Sequence, residues 1–95
     1  MHARVSTYRF PADGLDEAVR EFENAVPKVQ QMEGNKGAVL LVDRASAKGM
    51  TITYWESEQA MQGSTGAADE VREGAASAAR GSIESVEGYE VAMQL

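Results

Sequence analysis

Hydrophobic and polar positions follow two rhythms along this chain, one of period two and one near 3.6, and their order predicts the elements. His2 to Phe10, HARVSTYRF, mixes β-branched and aromatic residues and reads as a strand. Pro11 ends it, because proline has no amide proton to give a ladder. Leu15, Ala18, Val19, Phe22, Val26 and Val29 then recur at three- and four-residue steps, with Asp16, Glu17, Arg20, Glu21 and Glu23 on the other face. That is an amphipathic helix. Asp13 or Gly14 is placed to cap it, and the acids of its first turn suit the positive end of the helix dipole. Pro27 predicts a kink or restart, since an interior proline costs ~3 kcal/mol. Gly34 is the expected stop.

A second strand is expected in NKGAVLLVDRAS, where Ala38 to Val42 is apolar without a break. A sheet with one wet face would alternate. Here Val39 and Leu41 point one way while Ala38, Leu40 and Val42 point the other, so both faces require cover. After a turn at ASAKG, MTITYW forms a third strand, with Met50, Ile52 and Tyr54 on one face and Thr51, Thr53 and Trp55 on the other. Ser57 caps a second helix that starts EQAM. Its stripe runs through Ala60, Met61, Ser64, Ala68, Val71, Ala75 and Ala78, and it is light: between Gly63 and Ser82, Val71 is the only large apolar side chain. Such a helix either lies close on the sheet, the expected outcome in a dense interior, or stands off and leaves space. SIESVEGYEVAMQL closes the chain as a last strand, with a bulge or bend expected near Gly88.

Strand, helix, strand, strand, helix, strand is an α+β order. It predicts a ferredoxin-like βαββαβ fold, an antiparallel four-stranded sheet with two helices on one face. The other face would carry half of the apolar run. Burying one Val or Leu is worth ~1.5–3 kcal/mol, and an exposed apolar patch of that kind marks an interface. A homodimer packed sheet face on sheet face is the expected solution.

Composition narrows the options further. The 95 residues are expected to form one domain, 1–95, and the lack of cysteine excludes disulfides and thiolate metal sites. The net charge of −6, with Lys and Arg scattered singly, opposes nucleic-acid binding. No apolar run approaches a membrane span, and the first residues lack the apolar core of a signal peptide, so a cytoplasmic protein is expected.

The segment YWESEQAM adds a resemblance. A strand ending in Trp55-Glu56-Ser57, followed by Glu58, Gln59, Ala60 and Met61, is similar to the same element in antibiotic biosynthesis monooxygenase (ABM) domains, members of the dimeric α+β barrel superfamily. The likeness in element order spans nearly the whole chain. It implies cofactor-independent oxygenation of a phenol or quinol, with an apolar cavity, an orienting tryptophan and polar groups for the oxyanion. Trp55, Ser6, Tyr8, Tyr54 and Met61 are the ligand-binding candidates. No residue stands out as a catalytic base, and neither a metal nor a cofactor is expected. Haem degradation is the other activity the resemblance implies. There the family uses an Asn on the first strand, which falls on Ser6, the tryptophan, which is Trp55, and an axial histidine on the second helix. That histidine has no counterpart, because the only histidine is His2; Met61 is a weak substitute, and haem iron needs an axial donor.

Other roles compete for the same residues. Trp55 equally suits a rim position packed on the second helix. Met32, Met50, Met61 and Met93 are expected to fill gaps, and His2 to be solvated. Arg72 and Arg80 are expected on the wet face of the light helix, unless the helix stands off and one of them meets an anion. The alternative function is a non-catalytic dimer that binds a small hydrophobic ligand.

Overall fold

The computed structural model describes residues 1–95. Along the chain run β1 (His2–Arg9), α1 (Leu15–Gln30), β2 (Asn35–Asp43), β3 (Lys48–Trp55), α2 (Glu58–Gly63), α3 (Thr65–Ala78) and β4 (Ser82–Glu90). The strands form one antiparallel sheet in the order β2-β3-β1-β4. This is the ferredoxin-like arrangement. No helix is long and apolar enough to cross a membrane.

Three details depart from the sequence expectation. The second helix is broken in two at Ser64, whose hydroxyl donates to the Met61 carbonyl at 2.8 Å. Gly63 and Gly66 flank the break, so helix propensity is weakest where a serine competes for a backbone carbonyl. In contrast, α1 runs through Pro27 to Gln30 without a restart. Pro27 and Glu23, whose carbonyl loses its usual partner, are both exposed, so water can serve that carbonyl. The bulge of β4 falls at Glu84 rather than Gly88: Thr7 pairs with Ser85 and Tyr8 with Ile83. Glu84, left over, reaches Arg9 at 3.0 Å. Gly88 makes room instead, since a Cβ there would lie 2.9 Å from the Met61 methyl.

Two expected capping devices are present. Ser57 accepts the Ala60 amide at 3.0 Å and so starts α2. Gly34, at φ +80°, lies beyond the end of α1, and a Cβ there would meet that of Ala60 at 2.5 Å. Its carbonyl accepts the Glu56 amide at 2.8 Å, which ties the end of α1 to the end of β3.

The packed core lies at one end of the layer between helices and sheet. Tyr8, Phe10, Leu15, Ala18, Ala76 and Ala79 are buried together, with Phe22 and Ile83 against them. Here the small residues of α3 do let the helix lie close. At the other end of α3 the space between helix and sheet is not filled. The far face of the sheet carries no helix, and Val39, Leu41 and Tyr89 on it are 42%, 51% and 50% exposed. Met50, Ile52 and Tyr54 lie on that same open face, half-buried.

Candidate functional site

The strand register decides what faces the helices. On β1, Arg4, Ser6 and Tyr8 share the covered face, opposite Thr53, Thr51 and Gly49 of β3. Ala3, Val5 and Thr7 share the open face. The first half of this central strand is inside out: Arg4 and Ser6 are under the helices, and Ala3 and Val5 are on the bare side. Polar groups in a covered layer need partners or a purpose.

They line a cavity of about 570 Å³ between the sheet and the helices. Val19, Phe22, Val26 and Val29 of α1, Ala38, Leu40 and Val42 of β2, and Ala68 and Val71 of α3 form apolar walls. Arg4, Ser6, Tyr8, Thr51, Thr53 and Trp55 supply the sheet side, and Arg72 of α3 also contributes. Glu23, exposed on α1, is the only carboxylate in the lining.

Hydrogen bonds fix most of these polar groups. Tyr8 and Thr51 share a hydroxyl–hydroxyl bond of 3.0 Å. Burial pushes the Tyr8 phenol up from the ordinary tyrosine value, and its bonds to Thr51 and Ser6 and the charge of Arg72 offset part of that shift. Tyr8 is therefore a neutral donor or acceptor at physiological pH. The Trp55 indole N–H donates to Thr53 Oγ1 at 2.9 Å. Arg4 lies over the Trp55 ring, its guanidinium carbon 5.4 Å from the centroid. Arg4 Nη2 donates to the Met61 carbonyl at 2.6 Å and to the Ser64 and Thr65 hydroxyls at 3.3 Å each. Burial, and then the neighbouring charge of Arg72, lowers the Arg4 pKa, although an arginine keeps its proton in proteins. Arg72 is paired with Asp69, one turn earlier on α3.

The family profile of the antibiotic biosynthesis monooxygenases matches residues 1–67. The chain belongs to that family. Two uncharacterized proteins of Mycobacterium tuberculosis, Rv2557 and MT2634, are 30% identical to this ABM-family chain over 93 residues, 97% of its length. The chain spans 41% of the length of either relative. Among solved structures it is similar to MhuD, a heme-degrader of Mycobacterium tuberculosis with two hemes bound in its active site, at TM-score 0.74 and 21% identity, covering 100% of this chain and 99% of that one. SnoaB, a cofactor-independent oxygenase from Streptomyces nogalater, gives TM-score 0.74 at 16% identity over 99% and 95% of the two chains. The ActVA-Orf6 monooxygenase of Streptomyces coelicolor, in complex with Nanaomycin D, gives 0.70 at 22% over 99% and 89%.

Of the residues singled out from the ABM-like sequence, Ser6, Tyr8 and Trp55 line the same cavity. Trp55 is 0% exposed, and its indole N–H is committed to Thr53, so it forms a wall behind Arg4 with no donor free for a ligand. Tyr54 falls on the open face of the sheet, because strand alternation turns it away from Trp55. Met61 does not line the cavity: its carbonyl holds Arg4 and its side chain packs at Gly88. His2 is not fully solvated; its Nε2 lies 3.3 Å from Glu58.

Arg4 was not visible as a site residue from sequence, yet a signal exists. It shares strand parity with Ser6 and Tyr8, and the apolar residues Ala3 and Val5 take the other parity. Arg72 lies in the lining, 8% exposed, rather than on the wet face. The lining offers haem iron no imidazole, because His2 lies outside it, and Tyr8 is held neutral. These residues do not fit a haem ligand set. No group of three or more His, Asp and Glu side chains is arranged to hold a metal ion.

Proposed function

We propose that this chain is a small cofactor-independent monooxygenase of a phenol- or quinol-type aromatic, with residues 1–95 acting as one domain. We further propose that it works as a homodimer joined through the open sheet faces. The observation that carries the enzymatic reading is the cavity. Apolar walls suit a flat ring system, and the hydroxyls of Ser6, Tyr8 and Thr51 converge on one side to receive a phenolic oxygen. The bound anion would be oriented by those hydroxyls while dioxygen enters the same dry space. In such a reaction the substrate supplies all four electrons that reduce dioxygen. One oxygen atom forms a bond to ring carbon, and the other leaves as water with the two hydrogens that the substrate loses. The relatives SnoaB and ActVA-Orf6 support this class of chemistry, and the exposed Val39, Leu41 and Tyr89 support the dimer.

A second reading is a non-catalytic dimer that binds a small hydrophobic ligand. One observation favours it: the lining holds no histidine, and its single carboxylate, Glu23, is exposed. Oxygen-electrode assays with anthrone separate the two. An oxygenase consumes one O2 for each anthraquinone formed, saturably in anthrone, and Tyr8→Phe with Ser6→Ala lowers the rate by about tenfold or more, the usual scale for positioned polar groups. Saturable binding of anthrone with no uptake above the uncatalysed rate would leave only the binder.

A further inference from the structure

We propose that residues 24–33, the second half of α1 and the turn into β2, form a lid that opens to admit the ligand and closes over it. The inference rests on the cavity being the ligand site.

The walls of the cavity are held unequally. The sheet side is a continuous ladder. Arg4 fixes the start of α3 through the Met61 carbonyl and the Ser64 and Thr65 hydroxyls, and the burial of Ala75, Ala76 and Ala79 fixes its end. The first half of α1 is fixed as well. Leu15 and Ala18 are buried, and Phe22 packs on the core. Asp16 pairs with Arg44 at 2.9 Å, and Glu17 with Arg80 at 3.9 Å. Residues 24–33 have no such ties. None of them is buried, and none of their side chains makes a hydrogen bond or an ion pair. Segments with so little buried packing open at the lowest cost.

The ends of the segment fit a moving part. Pro27 has no amide proton, so the Glu23 carbonyl lacks the bond that would join the turns on either side. At the far end Gly34, at φ +80°, is tied to β3 through the Glu56 amide. Residues 24–33 are therefore anchored at both ends and weakened between them. Exposure on a surface helix explains the missing ion pairs. It does not explain why the loosely held half is the half whose Val26, Val29 and Met32 line the cavity. The apolar stripe of a surface helix is ordinarily its tightly held face. Across from it, Ala38 and Val42 of β2 are exposed although they face the helix layer, so the layer is open between α1 and β2. An apolar body in the cavity supplies the packing that Val26, Val29 and Met32 lack, and ligand and lid order one another.

The test is hydrogen exchange by mass spectrometry on the whole chain, free and saturated with 1-naphthol or 1-octanol. In the free chain the amides of residues 24–33 are expected to exchange about tenfold or more faster than those of 15–22, and either probe slows them about tenfold or more while leaving 15–22 little changed. Pro27→Ala restores the missing amide proton. It is expected to protect residues 24–33 and to lower the rates of naphthol entry and release together, by about threefold or more. Trp55 emission in a stopped-flow mixer follows both rates, since this single tryptophan lines the cavity. A helix end with no gating role would gain protection with both rates unchanged, which overturns the lid. Exchange of 24–33 as slow as that of 15–22 in the free chain also overturns it, as does fast exchange that a bound probe leaves unchanged. In each of these cases naphthol binding keeps the aromatic reading. Protection by octanol without any binding of naphthol keeps the lid and removes the aromatic reading. Binding of neither probe overturns both.

Discussion

Thr53, half-buried on β3, accepts the hydrogen bond that satisfies the fully buried Trp55 indole. Thr53→Val keeps the shape and removes the acceptor. It is expected to destabilise the chain by about 1–3 kcal/mol, the cost of a buried donor left alone, whereas Thr53→Ser costs much less. Urea unfolding followed by Trp55 emission measures both. The same pair shows what residue-level reading achieves. Parity along MTITYW puts Thr51, Thr53 and Trp55 on one face, which the register of β3 bears out. The bond between Thr53 and Trp55 was not legible, because parity names a face and says nothing about rotamers. Arg4 was hidden for a related reason. A lone basic residue near a chain start reads as solvated, and only its depth under the helices gives it another meaning.

At the scale of elements, the order and the approximate bounds of the strands and helices follow from periodicity, and the caps at Ser57 and Gly34 follow from local chemistry. The break at Ser64 and the standing-off of α3 do not. Both readings of the light stripe turn out to hold, at different ends of one helix. Ala75, Ala76 and Ala79 pack closely, while Ala68 and Val71 border the cavity. Arg4 gives a physical reason, since its long side chain spans from the sheet to the helix break and keeps that end of the layer apart. Gly74 lies in α3 with open space where a Cβ would be and with no positive φ. Gly74→Ala is therefore expected to stabilise the chain by about 0.5–1 kcal/mol, from helix propensity and a less free unfolded state. A rise in the urea midpoint with an unchanged slope would bear this out, and no rise would mean that α3 needs its glycine.

Over the whole molecule, the open sheet face follows from a pattern that any reader of AVLLV can see: two apolar faces and helices enough for one. What covers that face lies beyond a single chain, and the proposed cover is a second copy. Leu41→Asp places a charge within the proposed contact, beside Met50 on β3. It is expected to shift the species seen by light scattering from dimer to monomer, at micromolar chain, with native circular dichroism; an unchanged mass would exclude this face as the contact. The strand order β2-β3-β1-β4 has one more consequence. It leaves β2, the strand that holds Ala38 to Val42, at an edge, with one side of its backbone unpaired. Five apolar residues in a row on a free edge form a template on which a second unfolded chain can stack. Lys36 and Asp43 stand just outside the run, and Arg44 follows. A second copy stacked there in parallel register would bring these charges against its own copies of them, which discourages fibrous growth while leaving the flat face of the sheet free to pair.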